Sequence, residues 1–384
     1  MQTIVFHAPH YYPSTKPVCR LYLDIIKILI EHKYQVIVIT AKNGQAAYSF
    51  HGETVIGVNN LGYLRENILC RLLDYSTFSL QAFFTSHRIT KKNKIPKHQI
   101  INVVKSGYGI TAIIAMINKK IYNSNIVFWM LDRYPDIFFQ NITKFKLYNI
   151  LFRVLKFIEI YSLNNLNKII FETESDRNDY YNNKGVTPST IVRTWPSVIK
   201  VKDYIKPNFW NEEDLANKDV VTYSGNIGNS FDQGKLIKIA NHYPHITFLI
   251  LGSGSKYLDL CNKILHYKIN NIIIEPYLPD PEYNYILRNS KYGLVLLNNG
   301  LDVFSSKITA YLSFNIPIIG AIDSNNEMAS IIQKYNCGIV IANQFSPIST
   351  KGKNYEKLVF NTKKAKKIFD KQINSHIFIQ ALEL

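Results

Sequence analysis

Short apolar runs alternate with helical patterns along most of the chain, and that alternation restricts the fold more than any other feature. Thr3-Ile4-Val5-Phe6 is a brief apolar run leading into the loop from His7 to Lys16, with Pro9, Pro13 and Pro17 as breakers. Leu21, Ile25, Ile28 and Leu29 then recur at helical spacing. Val36 to Thr40 is β-branched throughout and apolar on both faces, as a buried parallel strand should be. The chain therefore opens with a βαβ unit. Strands at 100–104, 126–130, 168–172 and 190–192, with helices at 110–117 and 147–163, continue the pattern. They predict a mostly parallel, doubly wound domain.

A second series begins at Val220. Strands are expected at 220–224, 246–251, 272–275, 294–297 and 316–320, and helices at 235–241, 257–268 and 306–313. Residues 196–219, including Pro196, Lys200, Lys202, Pro207, Glu212, Glu213 and Asp214, are polar and irregular, the composition of an interdomain linker. The expected architecture is α/β: two Rossmann-like domains, at 1–198 and 199–364, facing a cleft. A Lys-rich helical tail follows Lys351, and its last part, 365–384, is expected to cross back to the first domain. At 384 residues and 47% apolar composition, the chain can bury a core in each domain.

Charge is unevenly spread. Residues 1–200 hold 25 Lys and Arg against 12 Asp and Glu, a net of +13 within the formal +17 of the chain. An anionic partner for the first half is one reading. Compositional drift is the other, since the chain is rich in Lys, Asn, Ile and Tyr. Cys19, Cys70, Cys261 and Cys337 form no C-x-x-C pair, which fits neither a zinc site nor a disulfide framework and suggests a reducing cytoplasm. The start lacks a signal-peptide pattern, and no uncharged apolar run reaches the roughly 18 residues of a membrane span. Contact with a membrane would be peripheral.

In open α/β sheets, ligands bind beyond the carboxyl ends of the strands. After 220–224 comes Gly225-Asn226-Ile227-Gly228-Asn229, then Asp232 to Lys235 opening a helix. Glycines at such a turn let backbone N–H groups approach a phosphate; a tight turn alone would use the same residues. The pattern is neither G-x-G-x-x-G nor a Walker A loop. Gly252-Ser253-Gly254 ends the next strand, and two such loops on one rim favour a diphosphate-bearing ligand. Ser306-Lys307 at a helix start could supply hydroxyl, N–H and ammonium donors to an anion, or could be a helix cap with a solvated lysine.

The run from Tyr223 to Val340 resembles the donor-binding domain of family 4 glycosyltransferases of the GT-B fold, especially the bacterial surface-polysaccharide branch. The matching residues are Ser-Gly-Asn-Ile-Gly at 224–228, Leu-Gly-Ser-Gly at 251–254, Pro276-Tyr277-Leu278-Pro279, and Ser306-Lys307 with Tyr311-Leu312 and Pro317. Asn326-Glu327 and Cys337 to Val340 extend the likeness. In the first half, Asp132-Arg133-Tyr134-Pro135-Asp136 resembles the family's acceptor-domain motif, and His10 to Pro13 with Arg20 resembles its first loop. Departures are plain: Ser305 stands where the family has proline and Asn226 where it often has arginine. Asp302 and Ala310 stand where it has two glutamates, and Pro13-Ser14-Thr15-Lys16 replaces its glycine-rich first loop.

The resemblance implies a nucleotide-sugar donor held by Gly225, Asn226, Gly228, Lys235, Gly252, Gly254, Tyr277, Asp302, Ser306 and Glu327. It implies Lys307 as the cation on the leaving diphosphate, Asp132 as the group that orients or deprotonates the acceptor, and Ser14, Thr15 and Arg20 near the acceptor. A structural reading of Asp132 is a cap on the turn with Pro135. No metal or other cofactor is expected. The implied acceptor is a polyprenyl-diphosphate-linked saccharide for capsule, O-antigen or exopolysaccharide synthesis at the inner face of the cytoplasmic membrane, and transfer is expected to retain configuration. Residues 61–98 suit an anionic membrane surface: Leu61, Leu64, Ile68, Leu72 and Leu73 form an apolar stripe. Phe78, Leu80, Phe83 and Phe84 follow, then Arg88, Lys91, Lys92, Lys94 and Lys97. An ordinary core helix with a basic loop is the alternative. Nucleic acid is not an expected partner, because no recognised binding motif is present. Rival functions are a catalytically degenerate scaffold and a sugar-nucleotide epimerase of the same fold.

Overall fold

The computed structural model describes residues 2–14, 17–42, 49–61, 68–107, 109–133, 135–136, 146–196, 204–301, 303–342 and 345–384. The chain divides into two compact units, Met1–Thr194 with Lys371–Leu384, and Trp195–Asp370.

Unit 1 holds a seven-stranded sheet of β1 (Thr3–His7), β2 (Gln35–Ala41), β3 (Thr54–Val58), β4 (Ile100–Lys105), β5 (Asn125–Met130), β6 (Lys168–Phe171) and β7 (Ser189–Ile191). Every pairing is parallel, in the order β3-β2-β1-β4-β5-β6-β7. Val5 on β1 lies opposite Ile37 on β2 and Asn102 on β4, so the first run of the chain becomes a central strand. Helices α1 (Pro17–Glu31), α2 (Ile68–Lys92), α3 (Ile110–Tyr122), α4 (Lys146–Leu163) and α5 (Glu174–Asn182) connect the strands. The edge strand β3 escapes sequence reading because five residues containing Gly57 carry little strand signal.

Unit 2 contains β8 (Asp219–Ser224), β9 (Ile246–Leu251), β10 (Ile272–Glu275), β11 (Tyr292–Leu296), β12 (Ile318–Ala321) and β13 (Gly338–Val340). These too are all parallel, ordered β10-β9-β8-β11-β12-β13. Its helices are α6 (Asn208–Glu212), α7 (Gln233–His242), α8 (Tyr257–His266), α9 (Asp280–Asn289), α10 (Lys307–Ser313), α11 (Glu327–Tyr335) and α12 (Gly352–Lys366). The strand order reverses between β1 and β4 in one sheet and between β8 and β11 in the other, which sets a ligand crevice at each carboxyl rim.

The segment expected to be an irregular linker is partly built into unit 2. Trp210 on α6 and Leu215 in the following 3-10 turn are buried with Val220, Leu249 and Ile286. Its many polar residues mask two large apolar side chains, and those supply the area that fixes it. After α12, helix α13 (Lys371–Ala381) returns to unit 1. There Phe378 lies edge-on to Trp129 at 5.2 Å, and Asn374 accepts the Arg193 N–H at 2.8 Å. Among the described residues no helix is long and apolar enough to cross a membrane.

Candidate functional site

At the carboxyl rim of unit 2, β8 delivers Ser224 and Gly225, and the chain beyond β11 delivers Ser306 and Lys307. The two segments straddle the reversal point of the sheet. Gly225 has φ +145°, and a Cβ there would lie 2.3 Å from Lys307 Cε and 2.7 Å from its Nζ. Only glycine leaves room for this lysine. The ammonium sits 4.9 Å from the centre of the Tyr223 ring. Among the described residues it has neither a carboxylate partner nor a hydrogen-bond acceptor. Burial lowers its pKa from 10.5 to about 8, so the site holds a poorly compensated positive charge at neutral pH.

The surrounding frame is rigid. The buried Tyr311 hydroxyl accepts the Ser224 N–H at 3.1 Å and donates to the Leu294 carbonyl at 3.2 Å, tying the end of β8 to the middle of β11. Ser224 Oγ meets the Tyr283 hydroxyl at 2.8 Å. The second glycine loop packs on the first: a Cβ on Gly252 would stand 1.9 Å from the Gly225 carbonyl oxygen, and one on Gly254 2.4 Å from that of Ile227. The Ile227 N–H donates to Ser253 at 2.9 Å. Among the described residues the Asn226 and Gly228 N–H groups have no acceptor, and neither does the Ser306 hydroxyl, at the exposed N-cap of α10. The Asn226 amide fills the space that side chains at 228 and 254 would take.

The remaining expected donor residues are dispersed around this centre. Lys235 Nζ donates to the Leu297 carbonyl at 2.9 Å and to Asn299 Oδ1 at 2.7 Å, so its ammonium already serves the end of β11. Of these two lysines, Lys307 is the one without an acceptor among the described residues. Tyr277 is exposed after β10, beside the Ser253 backbone. Glu327 is the first residue of α11, which Asn326 caps by accepting the Met328 N–H at 2.9 Å. Asp302 lies outside the described residues.

Unit 1 brings a different set to its own rim. Asp132 follows β5, and its carboxylate takes Lys105 Nζ from the end of β4 at 2.5 Å. The Leu131 and Asp132 N–H groups both donate to the buried Ser106 hydroxyl at 3.0 Å. Burial alone would depress the Lys105 ammonium; Asp132 reverses this and holds it above lysine's ordinary value. Lys105 escapes sequence reading because the pairing needs β4 and β5 to be neighbours. Glu172, just past β6, is buried and accepts the Thr194 hydroxyl; burial raises its pKa to about 7. His7 points to Asn102 at 3.0 Å, and burial drops its pKa to about 4, leaving a neutral ring. Ser14 stands in the turn after β1, its N–H on the Tyr11 carbonyl at 2.9 Å, and Arg20 is on α1. Thr15 lies outside the described residues.

No family model and no curated protein matches the sequence. Solved structures match over nearly the whole chain. Sucrose-phosphate synthase from Thermosynechococcus elongatus aligns with TM-score 0.70 at 12% identity, covering 99% of this chain and 98% of that one. Anabaena HepE in complex with UDP gives 0.67 at 12% identity, covering 100% and 99%. WaaG, a glycosyltransferase involved in lipopolysaccharide biosynthesis, gives 0.57 at 12% identity, covering 98% and 95%. The fold is GT-B. Two parallel sheets of seven and six strands with alternating helices carry that assignment, as the first and second halves of the sequence suggested.

In the GT-B frame, the Gly225 and Lys307 pairing can be tested directly. Gly225→Ala is expected to cost about 1–3 kcal/mol for the positive φ and to push the lysine out of place. That loss of stability is read by denaturant titration of the variant. Tyr311→Phe removes the acceptor of the Ser224 N–H and should lower stability by about 1–2 kcal/mol in urea titration.

Proposed function

We propose that this chain is a glycosyltransferase that moves a hexosyl or N-acetylhexosaminyl unit from a nucleoside-diphosphate sugar to a saccharide. One observation carries the reading: the Lys307 ammonium, seated against Gly225 and Tyr223 at the β8/β11 reversal, lacks an anionic partner among the described residues. A buried charge is costly unless paired, and a diphosphate is dianionic or more at neutral pH. The UDP and UDP-glucose complexes of HepE make uridine the first base to try.

As the bond from the anomeric carbon to the diphosphate oxygen breaks, negative charge grows on the leaving group. Lys307, the Ser306 hydroxyl and the Asn226 and Gly228 N–H groups then stabilise that charge where it develops. Lys307 takes the part that a metal ion plays elsewhere, so transfer should persist in EDTA. Asp132, oriented by Lys105 and Ser106, is assigned to hold the acceptor hydroxyl, and Ser14, Thr15 and Arg20 are assigned to the acceptor as the resemblance implies. Retention of configuration is expected and is read by NMR of the anomeric proton. The acceptor in this reading is a polyprenyl-diphosphate-linked saccharide for a surface polysaccharide. The basic first half then meets an anionic membrane from the cytoplasmic side.

Calorimetry with UDP and a panel of UDP-, GDP- and dTDP-sugars tests the reading. Binding of at least one, weakened in Lys307→Met, is expected. No binding to any would overturn it in favour of a scaffold, and turnover of a nucleotide sugar to its isomer without acceptor would replace it with epimerisation.

A further inference from the structure

Helix α4 buries charge beside its core residues Ile160 and Leu163 and leaves apolar side chains exposed. Its inward face carries Lys156 and Glu159, at 8% and 5% exposure, while Ile150 and Phe157 stand 60% and 70% exposed. Lys156 meets Asp136 at 2.7 Å, Asp179 at 3.0 Å and Glu159 at 3.5 Å, so the buried charges are paired and the orientation is deliberate in energetic terms. The exposed residues Ile150, Val154, Phe157 and Tyr161 recur at spacings of four, three and four, one stripe of a helix. Phe157 and Tyr161 stack at 6.4 Å.

The stripe is not isolated. Lys120 on α3 lies over the Tyr161 ring at 5.2 Å, and α3 exposes Ile117 and Ile121 on the same side as Lys120. Helix α3 packs in turn against α2, where the rings of His87 and Tyr122 meet, tilted, at 4.3 Å. Helix α2 sends Phe78 and Phe83 into the core, correcting the expectation that they face a membrane, and leaves Leu73, Leu80 and Phe84 exposed. Three adjacent helices thus present one apolar face, larger than the scattered apolar residues of an ordinary surface.

At the lower end of that face, below the amino ends of β4 and β5, lies a cavity of about 510 Å³. His87, Lys91, Lys94, Lys97, Tyr122 and Asn125 line it. Among the described residues none of the three lysines has a carboxylate partner; Lys97 donates to the Tyr122 carbonyl at 3.0 Å. Arg88, Lys92, Lys119 and Arg153 add charge around the apolar residues, with no acid on α3 and only Glu159, buried, on α4.

We propose that this face of unit 1 docks on an anionic bilayer, the α3 and α4 stripes entering the headgroup and acyl boundary while the cavity takes a phospholipid headgroup phosphate. The apolar stripe flanked by lysines matches a surface that is oily within and negative outside. The proposal rests on the membrane-facing part of the function above and places that contact mainly on α3, α4 and the cavity; Leu64 and the Ile68 side chain lie outside the described residues.

Vesicle flotation of the full chain tests it, with vesicles of phosphatidylglycerol and phosphatidylcholine in equal parts, or of phosphatidylcholine alone. Binding to the mixed vesicles only is expected. Neutralising Lys91 and Lys94 with Lys91→Ala and Lys94→Ala should weaken it about fivefold per charge. Phe157→Ser with Ile121→Ser should weaken it by roughly tenfold or more, and both positions are exposed enough for the fold to survive. Unchanged flotation in the serine variant, or equal binding to phosphatidylcholine alone, overturns the proposal. So does a dimer in sedimentation that the serine variant splits without any vesicle binding, since a second copy would then cover the face. UDP binding is measured without vesicles on the same samples: if it is present while flotation fails, only the docking falls, and in the reverse case only the transferase reading does.

Discussion

Lys307→Met is expected to make the free protein more stable and, in the transferase reading proposed above, to slow its use of a donor. The lysine costs stability because burial disfavours its charge and, among the described residues, no carboxylate offsets that cost. Methionine keeps the length that packs against Gly225 and Tyr223 and removes the ammonium. A gain of about 1 kcal/mol in denaturant titration is the expected size. The same change should lower kcat by roughly a hundredfold to a thousandfold, as loss of one stabilising donor at a developing charge does elsewhere. A variant that lost stability yet bound UDP normally would remove Lys307 from the site.

The pH dependence gives this prediction a second readout. In the unfolded chain the lysine titrates at its ordinary 10.5, and in the folded protein at about 8. Below about 8 both forms are protonated and the burial cost is constant. Between 8 and 10.5 the folded protein binds fewer protons than the unfolded one, so this residue makes stability rise with pH. UDP affinity should run the other way, falling as pH climbs above about 8 by up to about tenfold per unit. Lys307→Met should flatten both curves over that window.

Sequence and structure meet unevenly at this site. The glycine loop and the Ser-Lys pair are legible because each is a local pattern at a strand end, and resemblance supplies their order. What makes Lys307 special is not local: the missing Cβ of Gly225 admits it, and Tyr311, eighty-seven residues from Ser224, sets the rim on which both sit. Lys235 looks equally good in sequence and is occupied by carbonyls in space. Helix α4 shows the same limit. Its sequence is apolar on more than one side, so periodicity says that a helix forms but not which stripe faces in. Asp136 and Asp179, which meet Lys156 from other segments, and the core that takes Ile160 and Leu163 make that choice.

Asp132 gives the other large effect, and two variants separate its possible roles. Its carboxylate is committed to Lys105, whose ammonium is nearly buried and depends on that charge. Asp132→Leu alone strands the lysine and should cost roughly 2–3 kcal/mol, somewhat below the loss for a fully buried pair because the aspartate side is partly exposed. Adding Lys105→Met removes the stranded charge, and most of that stability should return. If Asp132 only anchors the loop after β5, transfer returns with the stability. If it holds the acceptor hydroxyl, the double variant is stable and still slow, with donor binding intact. The ion pair also argues for an orienting role over proton abstraction, because taking a proton would weaken the contact that keeps Lys105 charged. The expected outcome is recovery of stability without recovery of kcat, read by denaturant titration and single-turnover kinetics on the same preparations.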